Sequence, residues 1–154
     1  MKIRLLLISL SIVLIAAPGL RAVETPPPVT HQHGDDDDTE LGEKMDTLNK
    51  AYKKLRKQIP DQTQNGESLK LVAAIRASAE EALKLAPAKT DDLPAGERAK
   101  FVADYRAKMK SFLGELAQLE AALKANNNEE AAKIFTEMGK MQKEAHKEFR
   151  RAKK

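Results

Sequence analysis

Two residues far apart in this 154-residue chain carry the side chains best suited to chemistry. His146 is the only histidine outside the polar stretch near the front, and it stands eight residues before the end. Counted at 100° per residue on a helix, it lies about 20° from Phe135 and close to Gln142 and Phe149. It therefore points toward the interior of its helix packing or the edge of it. Met45, six residues beyond Thr39, sits on an apolar helical seam. At 1.5 Å per residue the two depths are about 9 Å and 12 Å. If the first and last helices lie side by side and antiparallel, a thioether and an imidazole share one level. Such a pair is an axial set for haem iron, with a firm nitrogen donor and a soft sulfur that favours Fe(II). The same residues also suit plain packing, with methionine filling a gap and histidine hydrogen-bonded at the core's edge. Periodicity alone does not choose between the two.

The elements that must position them are legible as helices. Leu41, Met45, Leu48, Tyr52, Leu55 and Ile59 recur in steps of three and four, which predicts one apolar face on a helix ending at Pro60. A polar loop containing Asn65-Gly66 follows. Leu69, Val72, Ile75 or Arg76, Ala79, Leu83 and Ala86 mark a narrower face on a second helix, stopped by Pro87. Thr90 to Gly96 forms the longest connection. The third helix presents Phe101, Tyr105, Met109 or Phe112, Leu116, Leu119 and Leu123, and ends in Asn126-Asn127-Asn128. Asn128, before Glu129-Glu130, is the expected cap of a fourth helix carrying Phe135, Met138, Gln142, Ala145 and Phe149. Four helices, each with one stripe and short connections, predict an all-α fold, an antiparallel up-down-up-down four-helix bundle.

Composition agrees. Charged residues make up 32% and aromatics 4%, with Ala, Leu, Lys and Glu abundant, which argues against a β-sandwich or barrel. The absence of cysteine excludes disulfides, thiolate zinc sites, covalent haem attachment and a cysteine nucleophile. No nucleophile–base set, phosphate-binding glycine loop or Glu-x-x-His pair is present, so an enzyme is not expected.

Residues 1–22 read as a secretory signal peptide. Lys2 and Arg4 precede an apolar run from Leu5 to Ala17, too short for a membrane span, and Leu20-Arg21-Ala22 offers a cleavage point. Residues 23–38 read as a solvated linker, with Pro26-Pro27-Pro28, then His31, His33 and Asp35 to Asp38. Residues 39–154 are the bundle. Cleavage takes Lys2, Arg4 and Arg21 from the 27 basic residues, leaving 24 against 23 acidic residues, a charge of +1. So near neutrality gives no electrostatic basis for binding nucleic acid. No membrane attachment is expected after cleavage.

Thr39-Glu-Leu-Gly-Glu-Lys-Met45-Asp-Thr-Leu-Asn49 and Glu144-Ala-His146-Lys-Glu-Phe-Arg150 resemble the two ends of the cytochrome b562 family. Ile75-Arg-Ala-Ser-Ala-Glu-Glu-Ala and Lys84-Leu-Ala-Pro87 extend the resemblance through the second helix. It implies a periplasmic four-helix bundle holding one non-covalent haem b per chain, an electron carrier with unidentified redox partner proteins. It also implies Met45 and His146 as the axial ligands, with Leu48, Asn49, Tyr52 and Arg150 lining or bordering the haem. Gln142 departs from the family pattern, which has an arginine there. The third helix looks about two residues longer before its asparagines, so Phe101, Tyr105, Met109 and Phe112 compete for the haem-packing positions. The competing expectation is a haem-free periplasmic bundle that binds a protein or peptide.

Overall fold

The computed structural model describes residues 38–151. The segments expected to be a signal peptide and a linker, through residue 37 with His31, His33 and Asp35 to Asp37, and the last three residues lie outside the described residues. Four α-helices follow in order: α1 (Glu40–Gln58), α2 (Asn65–Ala82), α3 (Ala95–Lys124) and α4 (Asn128–Phe149). Among the described residues no strand forms, and the fold is the four-helix bundle that the apolar stripes imply.

α1 starts because the Thr39 hydroxyl accepts the Gly42 N–H at 3.0 Å, with Glu40 and Glu43 at the positive end of the helix dipole. It stops where Pro60 denies the next turn a donor. Leu48, Tyr52, Leu55 and Ile59 are buried, whereas Leu41 and Met45 are only half-buried. The apolar face of α1 thus runs past the packed core and is left partly uncovered at its first two turns.

Asn65 and Gly66 are not in a loop, as the sequence suggested, but form the first residues of α2. Asp61 makes the difference. Its carboxylate accepts from Thr63 N–H and Oγ1 and from Gln64 Nε2, winding Gln62–Gln64 into a 3₁₀ turn that leads directly into α2. α2 also ends five residues before Pro87, at Ala82. There the Tyr105 hydroxyl donates to the Ala82 carbonyl at 2.9 Å, and the chain tightens through Lys84 N–H to Glu81 and Leu85 N–H to Ala82 bonds. The connection to α3 holds a second 3₁₀ turn, Ala88–Asp92, and Gly96 belongs to α3 rather than to the connection.

Between α3 and α4, Asn126 takes a left-handed conformation (φ 55°), and the Asn127 N–H reaches back to the Ala122 carbonyl at 2.9 Å. An asparagine fills the terminating position that glycine usually holds. The cap of α4 is Asn127, whose Oδ1 accepts the Glu130 N–H, and not Asn128. Asn128 is drawn inward instead, its amide donating to the Ile59 carbonyl (2.6 Å) and to Asn65 Oδ1 (2.9 Å).

The core runs from this asparagine end through the bundle to Ala82, Tyr105 and Phe149, and leaves Leu41 and Met45 only partly covered. Tyr52 stacks on Phe135 with ring centroids 4.2 Å apart, and its hydroxyl donates to the Phe135 carbonyl. Close backbone packing joins α1 to α2, α2 to α3 and α3 to α4, while the backbones of α1 and α4 approach less closely. The bundle is therefore tight at one end and open along one seam at the other.

Candidate functional site

A cleft opens at that looser end, walled by the first turns of α1, by α3 and by the last turns of α4, with Pro87 and Ala88 closing one side. Its cavity volume is about 180 Å³. One water needs only about 10–15 Å³, so this is no packing defect. Leu41, Leu48, Met109, Phe112 and Phe149 make the walls predominantly apolar.

Of the residues singled out from the sequence, Met45, Leu48, Asn49, His146 and Arg150 all line this one cleft. Met45 reaches it from α1 and His146 from α4, so the thioether and the imidazole stand on different walls. Tyr52 does not line it. It lies one turn deeper, 2% exposed, with its ring committed to Phe135 and its hydroxyl to a backbone carbonyl. Burial pushes that phenol up to about 12, so it stays protonated. Among the four rivals on α3, Tyr105, Met109 and Phe112 line the cleft. Phe101 packs instead on Phe149, 5.2 Å between centroids. Gln142 lines the cleft where the family pattern has a cation.

Sequence reasoning passed over Met141 and Lys108, both in the lining. Met141 was detectable, since it falls three residues after Met138 and four before Ala145 on the same stripe. Nothing in the sequence marks Lys108, which is exposed on α3 at the edge of the cleft.

The electrostatics suit a metal ligand. His146 is exposed overall, with part of its ring against the cleft. That partial burial, and then the Arg150 guanidinium one turn on, hold the imidazole below its ordinary value of 6.5. It is therefore neutral at pH 7, with a lone pair to give, as a metal-bound histidine must be. Arg150 and Lys108 put positive charge on the rim of an apolar cavity. Among the described residues no group of three or more histidine, cysteine, aspartate or glutamate side chains could hold a metal ion. The donor set is thus one imidazole with thioethers, which fits haem iron better than zinc, calcium or magnesium.

An antiparallel four-helix bundle open at one end onto an imidazole and a thioether has the form of a haem-binding helical bundle. Residues 40–150 match the cytochrome b562 family, and the chain belongs to that family. This is a family of b-type haem electron carriers, not of enzymes. No individual curated protein matches the chain.

Proposed function

We propose that the protein is a periplasmic electron carrier that binds one haem b non-covalently in this cleft, with His146 and Met45 as axial ligands. One observation carries the reading: an imidazole and a thioether from opposite ends of the chain line one open, apolar cleft of about 180 Å³. The haem supplies one-electron exchange between Fe(III) and Fe(II) when bound. His146 gives the stronger donor, and Met45 a soft one that weights the ferrous state and raises the potential. Were His146 and Met45 both to hold the iron, no position would be left for dioxygen or peroxide, which suits a carrier rather than an oxidase. Leu48, Phe112 and Phe149, which line the cleft, would keep water from a bound haem. Asn49 would lie beside it, and Arg150 and Lys108 would offer cations to its carboxylates. The periplasmic assignment rests on the basic-then-apolar first 22 residues and on the family. No helix among the described residues is long and apolar enough to cross a membrane.

Titration of the purified apoprotein with haemin tests the reading. One equivalent should give a sharp low-spin Soret band and, after dithionite, split visible bands. Met45→Ala should turn the spectrum high-spin, and His146→Ala should cost more affinity than Met45→Ala. Protein that ignores haemin would instead favour the haem-free, partner-binding bundle.

A further inference from the structure

The turn that carries His146 is the last of its helix, where carbonyls lack intrahelical partners and the backbone frays most readily. Here that turn is held from outside. The helix ends at Phe149, Arg150 turns extended (φ −88°, ψ 147°), and its N–H donates to the His146 carbonyl at 3.2 Å. Arg151 then reaches across to the connection between α2 and α3. Its Nε donates to Asp92 Oδ2 (2.8 Å), and its Nη2 to Asp92 Oδ1 (3.0 Å) and to the Ala88 carbonyl (2.8 Å). The same connection answers with Lys89, whose Nζ donates to the Glu148 carbonyl at 2.7 Å. A cation thereby satisfies a carbonyl at the negative end of the α4 dipole. Beneath these bonds Phe149 is wedged between Phe101 and Tyr105, at 5.2 and 5.6 Å.

One five-residue 3₁₀ turn, Ala88–Asp92, thus does two things. Ala88 forms part of the cleft wall, and its carbonyl, with the Asp92 carboxylate, anchors the chain just beyond His146. The two are coupled covalently through the turn. Arg151 itself lies one residue past the stretch matched by the family, while Ala88 and Asp92 lie within it.

We propose that Arg151 is a positioning residue: by clamping the end of α4 to the α2–α3 connection it fixes the turn that presents His146 to the cleft. The proposal rests on the cleft being a haem site. The planar guanidinium matters because two donors meet the carboxylate while one also holds a carbonyl, a fork that lysine cannot reproduce. His146 on an unclamped turn spends part of its time displaced from the ring, which weakens retention without unfolding the bundle.

The test uses the full chain with Arg151→Ala, Arg151→Lys and Asp92→Ala. In the apoprotein, amides of residues 146–150 should exchange about tenfold faster in all three, the change that roughly 1.4 kcal/mol produces. Amides at Leu116 and Leu119, and the global urea midpoint, should hold. In the haemin-loaded protein, loss of haem to excess apomyoglobin should quicken by about the same factor, with a larger high-spin fraction. Arg151→Ala combined with Asp92→Ala should be no worse than Arg151→Ala alone, because every bond of the clamp runs through Arg151. Unchanged exchange in Arg151→Ala would show that there is no clamp. Faster exchange with unchanged haem loss and spin state would reduce Arg151 to an end cap and overturn the positioning role. Failure of the unaltered chain to take up haemin would overturn the haem reading first, and this proposal with it; normal uptake with indifferent variants overturns this proposal alone.

Discussion

Replacing Asn65 with alanine should remove about 2–3 kcal/mol of stability while leaving the cleft intact. Asn65 is 6% exposed at the end of the bundle opposite His146. Its Nδ2 lies 2.9 Å from Asn128 Oδ1, 3.0 Å from Asn126 Oδ1 and 3.2 Å from the Leu123 carbonyl. Its Oδ1 accepts from Asn128 Nδ2 at 2.9 Å. An amide has two protons, so two donated bonds and one accepted bond are lost at full strength. At about 1 kcal/mol net for each, the loss is near 3 kcal/mol. Alanine returns roughly half a kcal/mol through better helix propensity. Water can reach exposed Asn126, which keeps the left-over partners from costing more. Urea unfolding followed by far-UV circular dichroism measures the change, and the slope with denaturant should stay constant. Haemin affinity should move by less than about twofold, since sites this far apart act additively. A destabilisation under about 0.5 kcal/mol would refute the idea that the amide network ties the two inter-helix turns together. An unchanged stability in Asn128→Ala would do the same from the other side.

Other outcomes follow from single groups. Glu120 joins α2 to α3: the hydrogen bond from Lys124 holds its carboxyl below the ordinary 4.5, burial opposes this in part, and the hydrogen bond from Arg76 adds to the lowering. Its folded value being depressed, its contribution is whole above about pH 4.5 and disappears as pH falls through the folded value; Glu120→Gln should flatten the acid limb of a stability-against-pH curve. The Thr90 hydroxyl is buried with no hydrogen-bond partner among the described residues, so Thr90→Val should be neutral or stabilise by up to about 1 kcal/mol in the same urea experiment. A loss above 1 kcal/mol would mean that the hydroxyl has a bond to lose. Gly114 sits mid-helix on α3 with open space where a side chain would go, and Gly114→Ala should add about 0.5–1 kcal/mol.

The four apolar stripes were readable in the sequence because packing repeats every three or four residues whatever the partners are. Hence the helices and the bundle topology follow from Leu48, Tyr52, Leu55, Leu116, Leu119 and Met138 directly. Helix ends were less legible. Asn65 looks like a loop residue by propensity, and the Asp61 turn before it, with its amide's long-range bonds to the Leu123 carbonyl, Asn126 and Asn128, explains its place in a helix. At the end of α2 the Ala82 carbonyl accepts both the Leu85 N–H and the hydroxyl of a tyrosine 23 residues on, and no local pattern announces the second. Asn127 and Asn128 have the same side chain, and tertiary contact with Ile59 decides which of them caps. In the site, helical phase and depth brought Met45 and His146 to one level, and both do line one cleft. The same phase argument could not separate Tyr52 from them. It shares Met45's face of α1, yet lies about two turns deeper, with its ring stacked on Phe135. Arg151 was invisible for a different reason: its partners come from a connection with no periodicity.

The central claim concerns which sulfur faces His146, since Met45, Met109 and Met141 all line the cleft. Proton NMR of the reduced, haem-loaded protein, with methionine methyl groups labelled and assigned by substitution, answers it directly. A thioether bound to low-spin iron lies in the ring current of the porphyrin, so its methyl resonance moves far upfield. The account predicts one such resonance, belonging to Met45 and absent in Met45→Ala. An upfield methyl assigned to Met109 or Met141, or none from any of the three, would contradict it.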